Sequence, residues 1–301
     1  MKYNVGMALS SYIGELCKPS EAERQLWLLQ RRIVRISYMK HNDHIAIQDI
    51  IALIKRTKSF VENREMAEHI QVKGPADYVT QVDTGIQNFL SQELGKLAPG
   101  VQFLGEEEGL HEMSGDTYWI LDPIDGTTNL IHDYQHSVVS LGLYEKGEIT
   151  LGVVYDPYRE DVYHAQKGQG SFLNGRPIHV SEVETLRETI VTIGTSPYDR
   201  ELTEVNFLRF RRVFEKSQDI RRTGSAALDL AYVACGRTGG FFESLLSPWD
   251  FAAGMLLVTE AGGKVTDYAG EPLNFLQRGS VVATNGKVHE ELRGLLEENR
   301  I

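Results

Sequence analysis

The sequence predicts a mixed α/β (α+β) fold. It reads as a layered αβαβα sandwich with an antiparallel N-terminal sheet and a mixed C-terminal α/β half. Two patterns carry that expectation. Between residues 101 and 180, short apolar runs alternate with turn signals, as in an antiparallel meander. From residue 189 onward, strand-like runs alternate with helix-like segments, so helices should cover the faces of a sheet. A chain of 301 residues, 42% of them hydrophobic, can bury one large core or two coupled ones. Three segments are expected: a helical extension over 1–42, an α+β half over 43–185 and an α/β half over 186–301.

The elements follow in order. Residues 21–40 and 46–68 read as helical. In the second, Ile47, Ile50, Ile51 and Ile54 share one helical face, and Asp43 is a plausible N-cap. Thr80 to Lys96 places Val82, Ile86, Phe89, Leu90 and Leu94 on one face of another helix. Strands are expected over 101–104 and 118–121. The runs 137–144 and 150–155 flank Glu145-Lys146-Gly147-Glu148, a hairpin turn. Strands over 161–165, 171–173 and 177–180 continue the meander, with Asn174-Gly175 as a turn. The second half reads as strands over 189–194, 219–222, 238–243, 264–267 and 281–284. Its helices are expected over 202–215, 225–235, 250–261 and 289–297.

Composition narrows the function. There are 31 basic and 42 acidic residues, a net charge of −11. Such a surface repels nucleic acid and anionic membrane, while a metal site can still take an anionic small substrate. The two cysteines, Cys17 and Cys235, make no CxxC pair or disulfide framework, so a reducing cytoplasm is expected. Cys235 reads as a small core residue. No run approaches the ~18 apolar residues of a membrane span, and the N-terminus is a poor secretory signal. His132 and His136 are read as structural, and no zinc spacing is present.

The chemistry lies in the acids. Asp122 and Asp125 close the apolar run Trp119-Ile120-Leu121 and precede a glycine and the hydroxyl of Thr127. Carboxylates held ~3–5 Å apart repel, and one would ordinarily keep its proton. A divalent cation removes the conflict, and hard oxygen ligands suit Mg²⁺, which also binds phosphate oxygens. Other acids fit this picture less securely by themselves. Glu106-Glu107-Glu108 could be a solvated charge run, and Asp250 could cap the helix that follows it. Asp77 and Asp83 could be acids at a helix start, and Glu243 an acid at a strand end.

Taken together, three stretches resemble the inositol monophosphatase family, the lithium-sensitive, magnesium-dependent sugar phosphatases. They are Gly105-Glu106-Glu107, Asp122-Pro123-Ile124-Asp125-Gly126-Thr127-Thr128-Asn129, and Trp249-Asp250 before a small-residue helix. The resemblance runs from about Lys73 to the C-terminus. It includes Val153-Val154-Tyr155, Lys167-Gly168-Gln169-Gly170, Gly224-Ser225-Ala226-Ala227 and Thr259-Glu260-Ala261-Gly262-Gly263.

The resemblance implies a site for two or three Mg²⁺ ions. Glu106, Asp122 and the carbonyl of Ile124 would hold the first, and Asp122, Asp125 and Asp250 the second. A weaker third ion would sit near Glu106, with Asp83 acting through water. Thr127, paired with Asp83 or Glu106, would orient and deprotonate the attacking water, with Glu107 supporting the site. Phosphate would lie on the amides of Gly126, Thr127 and Thr128. The polyol would be held by Asp125, Glu243 and the backbone near Ala226, beside Asp250. The implied activity is hydrolysis of a polyol or sugar phosphate, foremost inositol 1-phosphate, by a homodimer. The alternatives are a fructose-1,6-bisphosphatase, with Arg221 and Arg222 as candidates for a second phosphate, another sugar or nucleotide phosphatase, or a regulatory binding protein that keeps the fold. Two departures stand out: the Lys73–Asp77 spacing looks one residue short, and roughly 40 residues precede the matching region. Residues 24–40, with five cations among apolar positions, read as an extra packed helix or, less simply, a docking helix for an acidic partner.

Overall fold

The structure, a computed structural model, describes residues 45–74, 77–109 and 115–297. The expected helix over 21–40, the cap at Asp43, Cys17 and the extension over 1–42 lie outside the described residues. The first half runs α1 (Ile47–Lys55), α2 (Lys58–Val61), α3 (Arg64–Glu68), β1 (Ile70–Gly74), β2 (Asp77–Thr80), α4 (Gln81–Leu97), β3 (Gln102–Gly105), β4 (Thr117–Asp125) and α5 (Thr127–Ile131). The meander follows: β5 (Val138–Glu145), β6 (Glu148–Asp156), β7 (Asp161–Gln166), β8 (Ser171–Leu173) and β9 (Arg176–Ile178). The second half comprises β10 (Ile190–Ile193), α6 (Thr203–Lys216), β11 (Asp219–Arg221), α7 (Ala226–Ala234), β12 (Gly240–Leu246), α8 (Pro248–Glu260), β13 (Lys264–Thr266), β14 (Gly279–Thr284) and α9 (His289–Leu296).

Two expectations need correction. The helix over 46–68 is three short helices. The Thr57 hydroxyl turns back onto the Ile54 carbonyl at 2.6 Å, a local bond that competes with helix continuation. Asn63 then restarts the chain as an N-cap, accepting from the Met66 amide at 3.3 Å. The antiparallel pair β1–β2 was not expected at all; β1 is almost wholly exposed and so lacks the apolar alternation that marks a half-buried strand.

The two large sheets divide the chain. The seven-stranded sheet has the order β3-β4-β5-β6-β7-β8-β9 and the five-stranded sheet β11-β10-β12-β14-β13. The first is antiparallel except for β3–β4, which run parallel. The second is mixed: β11-β10-β12 are parallel, and β12-β14-β13 antiparallel.

Strand alternation assembles the layers. On β12, Phe241 points into the core between the sheets and Phe242 into the core beyond. On β14, Val281 and Ala283 face inward and Val282 outward. The inner core encloses α7 and α8, which pack against strands of both sheets. The outer core joins Phe210 and Val213 of α6 to Leu292 and Leu296 of α9. With α1 and α4 packed on the seven-stranded sheet, the order of layers is αβαβα. Cys235 packs partly buried against the inner core. The Glu260 carboxylate accepts from the amides of Gly168 and Gly170, both at 2.8 Å, and so ties the end of α8 to the β7–β8 turn.

Close approach of α8 to the sheet requires Gly152 on β6. A Cβ there would lie 2.8 Å from the Ala253 carbonyl oxygen and 3.1 Å from its Cα. Gly152→Val should therefore destabilise the protein by about 1–3 kcal/mol through overpacking. Thermal denaturation should show a melting temperature lower by roughly 2–4 °C per kcal/mol; an unchanged value would refute this packing.

Candidate metal centre and active site

The two strand-end acids converge because of a β-bulge. Residues three apart on a regular strand point to opposite faces. Here Asp122 pairs with Ser140 and Asp125 with Val138, so three steps on β4 oppose two on β5. The extra residue restores the phase, and both carboxylates turn to one side. Pro123 sits in the bulge, where its missing N–H costs no ladder bond. The expected strand over 118–121 thus continues to Asp125. The Asp122 carboxylate accepts from the Ile124 amide at 3.0 Å, which fixes its direction.

Neighbouring elements bring the remaining acids. In the parallel β3–β4 pair, Gly105 is in register with Leu121, so the next residues, Glu106 and Asp122, leave side by side. Asp250 is the third residue of α8. It does not cap the helix as the sequence suggested; Ser247 does, and the Asp250 carboxylate accepts from the Ser247 amide at 2.6 Å. Ligand oxygens of Asp122, Asp125 and Asp250 all lie within 4.8 Å of one another. Asp125 is further held by the Ser225 hydroxyl at 2.7 Å and the Ala227 amide at 2.6 Å, at the start of α7. The Ala226 amide also bonds its carboxylate.

Asp83 occupies the same place in α4 that Asp250 occupies in α8. It is fully buried, and one oxygen accepts from the Thr80 amide at 2.8 Å. Its other oxygen lies 2.8 Å from the Thr127 hydroxyl, which also reaches the Ile124 carbonyl at 3.1 Å. Gly126 makes this turn possible: its φ is +97°, and a Cβ would meet the carbonyl oxygens of His136 and Gly224 at 3.0 and 3.1 Å. Thr128, next in α5, is exposed.

The electrostatics are those of crowded, buried acids. Burial, then Glu106, Asp125 and Asp250, holds the Asp122 carboxyl well above its ordinary range. Burial raises Glu106 to about 8, partly opposed by Lys73. Burial raises Asp125 to about 6 against the hydrogen bonds from Ser225 and Ala227. Asp250 is raised well above its usual value by burial and by Asp125 and Glu106. Lys73 is engaged elsewhere, in an ion pair with Glu107 at 2.8 Å. A set of hard oxygen donors that repel one another fits a divalent cation of the Mg²⁺ type.

Other expected residues are placed around this cluster. Glu107 is also held through its amide, which donates to Gln87 at 3.1 Å, whereas Glu108 is exposed. Glu243, on β12, accepts from the Ser196 amide at 2.7 Å and feels the charge of Asp125. Arg222 donates to the Thr195 hydroxyl at 3.2 Å and is within electrostatic reach of Asp125 and Glu243. Arg221 pairs with Asp219 on the surface. His132 is exposed, and the His136 carbonyl accepts from Asn129 at 2.8 Å. Sequence reading grouped Thr80 with Asp83 and placed Ser225 in a matching motif, but gave neither of them, nor Ser247, the role of holding an acid. The Thr80-x-x-Asp83 and Ser247-x-x-Asp250 spacings were the available signal.

Fold and site together define a phosphatase of the layered α/β type with an acidic, metal-compatible centre. The inositol monophosphatase family model matches residues 39–300, and the chain belongs to this family. It is similar to an inositol-1-monophosphatase of Rhizobium meliloti, 40% identical over 82% of this chain and 93% of the relative. It is also similar to the Nus factor SuhB of Escherichia coli, 43% identical over 72% of this chain and 81% of that protein. Among solved structures, an IMPase from Thermotoga maritima superposes with a TM-score of 0.75 at 33% identity, covering 83% of this chain and 96% of that one. No helix among the described residues is long and apolar enough to cross a membrane.

The raised acids set a pH dependence. In metal-free protein, Asp125 rises from 3.8 to about 6 and Glu106 from 4.5 to about 8, so the folded state binds more protons than the unfolded one in between. Stability from these groups is present at low pH and lost as pH climbs through that window. Melting curves in EDTA should show this loss in the wild type and a smaller one in Asp122→Asn, with Mg²⁺ restoring the wild type. Identical pH profiles for the two proteins in EDTA would contradict the assignment.

Proposed function

We propose that the chain is a Mg²⁺-dependent phosphomonoesterase acting on a polyol phosphate, foremost inositol 1-phosphate. The convergence of Asp122, Asp125 and Asp250 within 4.8 Å carries this reading. Glu106, Asp122, the Ile124 carbonyl, Asp125 and Asp250 would hold the ions. When bound, Mg²⁺ supplies positive charge and Lewis acidity to the phosphoryl group and the attacking water.

The chain's own residues do the rest. Thr127 has its hydroxyl proton directed at Asp83. Its lone pair then accepts from a water aligned for attack. As that water's proton passes to Thr127, the threonine's own proton moves to Asp83; the oxygen attacks phosphorus as the bond from phosphorus to the polyol oxygen breaks, and the departing alkoxide takes a proton from solvent water. The amides of Gly126, Thr127 and Thr128 would steady the phosphate oxygens. Glu243, with one oxygen already bonded by Ser196, presents acceptor capacity to ring hydroxyls. Water is the nucleophile, and no phospho-enzyme forms. The family resemblance further supports a homodimer acting in the cytoplasm.

Relatives bearing the name Nus factor SuhB favour a second reading, in which the same fold also serves a macromolecular partner. An Asp122→Asn protein that restores the phenotype of a strain lacking the gene would support it.

A panel of inositol 1-phosphate, fructose 1,6-bisphosphate, histidinol phosphate and adenosine 3′,5′-bisphosphate, assayed with Mg²⁺, tests the substrate class. Phosphate release should be highest for the inositol ester and vanish in EDTA. Asp122→Asn should lose at least about 10²-fold in turnover, by analogy with the loss of an electrostatic group at a reacting centre, while Glu108→Gln stays near wild type. Equal activity in the two variants would reject the site. Thr127→Ala should lower kcat with little change in KM; a collapse of binding instead would make Thr127 a substrate anchor.

A further inference from the structure

Helix α4 reaches the site at two points. Asp83 and Gln87 stand four residues apart on it and so share one face. Both are buried. Asp83 meets the Thr127 hydroxyl at 2.8 Å. One turn further on, the side-chain carbonyl oxygen of Gln87, Oε1, accepts from the Glu107 amide at 3.1 Å. The residues Glu106–Glu108 that follow β3 form a single 3-10 turn, and the residue before it, Gly105, has no side chain to bond its first amides. Gln87 supplies that acceptor from a different helix.

Gly105 is matched to this contact. Its backbone is extended, with a φ of −103°, which any residue adopts, so no turn requires glycine there. A Cβ would instead lie 2.4 Å from Gln87 Oε1 and 2.6 Å from its Cδ. The Gln87 side chain therefore rests directly on the main chain just before Glu106. That contact matters because Glu106 is held differently from its neighbours. Main-chain amides donate to the carboxylates of Asp83, Asp122, Asp125 and Asp250. Among the described residues no main-chain amide donates to the Glu106 carboxylate, so its direction depends on the turn that carries it.

We propose that Gln87 is a positioning residue: by capping the Glu106–Glu108 turn from α4, it sets the Glu106 carboxylate beside Asp122, where the two can share a cation. The idea rests on the metal-dependent reading and adds the group that ties the Glu106 ligand to the helix bearing Asp83. A neutral amide suits this place. It accepts the bond as a carboxylate would, without adding another negative charge to a crowded set of acids. A group that orients a ligand from outside tunes how tightly the metal binds. It touches no substrate, so its effect belongs in Mg²⁺ affinity before KM.

The test uses full-length protein and compares wild type, Gln87→Met, Gln87→Glu, Gly105→Ala and the variant carrying both Gly105→Ala and Gln87→Met. Mg²⁺ binding is measured by calorimetry without substrate, and phosphate release from inositol 1-phosphate is followed against Mg²⁺ concentration. Gln87→Met keeps the length of the side chain and removes the acceptor. It should weaken Mg²⁺ binding about 10-fold, with KM for the ester at saturating Mg²⁺ within about twofold of wild type. Gln87→Glu keeps the acceptor and should recover most of the affinity. Gly105→Ala should act like Gln87→Met, because its methyl displaces the same oxygen. The doubly substituted protein should be no weaker than the weaker single variant, as expected of two changes that break one bond. Wild-type Mg²⁺ affinity in Gln87→Met, equal losses in Gln87→Met and Gln87→Glu, or additive losses in the double variant would each overturn the proposal. So would a lowered melting temperature with Mg²⁺ affinity intact, which would make Gln87 a packing residue only. Mg²⁺ binding by the wild type without phosphate release from any ester would instead overturn the phosphomonoesterase reading, and the affinity comparison would still decide the role of Gln87.

Discussion

The structure is organised around a repulsion. Asp122, Asp125, Asp250 and Glu106 are drawn into one partly buried cluster where burial raises the proton affinity of all four and the neighbouring acids raise that of Asp122 and Asp250 further. Buried carboxylates without compensation are costly, so the chain must hold them by other means. It uses main-chain amides. Ile124 donates to Asp122, Ala227 to Asp125, Ser247 to Asp250 and Thr80 to Asp83. Each bond favours the charged form and points the carboxylate, so the cluster is set before a cation arrives. The direction of the remaining imbalance, towards protonation, is what a divalent ion would reverse.

The two sheets matter to function because of what starts between them. Helices α7 and α8 both begin at the acid cluster and both fill the space between the sheets. Ser140, the strand partner of Asp122, donates to the Trp249 carbonyl at 3.2 Å and so locks the first turn of α8 to β5. Ser225, the cap of α7, does the same for Asp125 on β4. The inter-sheet core that supplies stability thus also sets the distances between ligands. Overpacking at Gly142 or Gly152 would shift α8, and with it Asp250, relative to the strands.

Much of this was legible in the sequence, for identifiable reasons. The strands and helices of the second half were readable because their apolar faces repeat with the period of the element. The acid cluster was readable because carboxylates at an apolar strand end have no structural need to be there. The bulge was not. Nothing in Asp122-Pro123-Ile124-Asp125 says that one residue will loop out, although a proline inside an apolar run is a hint. The break after Lys55 depends on a single hydroxyl turning onto a carbonyl, and the β1–β2 ribbon shows little burial to leave a pattern.

The geometry also bears on how one chain can resemble both named inositol monophosphatases and named Nus factors. The two kinds of relative match it at 40% and 43% identity, so overall similarity does not separate them. Burial divides this chain's own side chains into those of the site and those of the surface. Asp83, Asp122 and Asp125 are 0%, 2% and 7% exposed, inside a scaffold that folds to hold them. A macromolecular partner meets only what is exposed, and those acids are not. In this chain the acids that could hold a metal ion are therefore set apart from the surface that a macromolecule could meet. A variant that silences the cluster without disturbing its packing separates the two, because it alters the chemistry within and leaves the outer surface as it was.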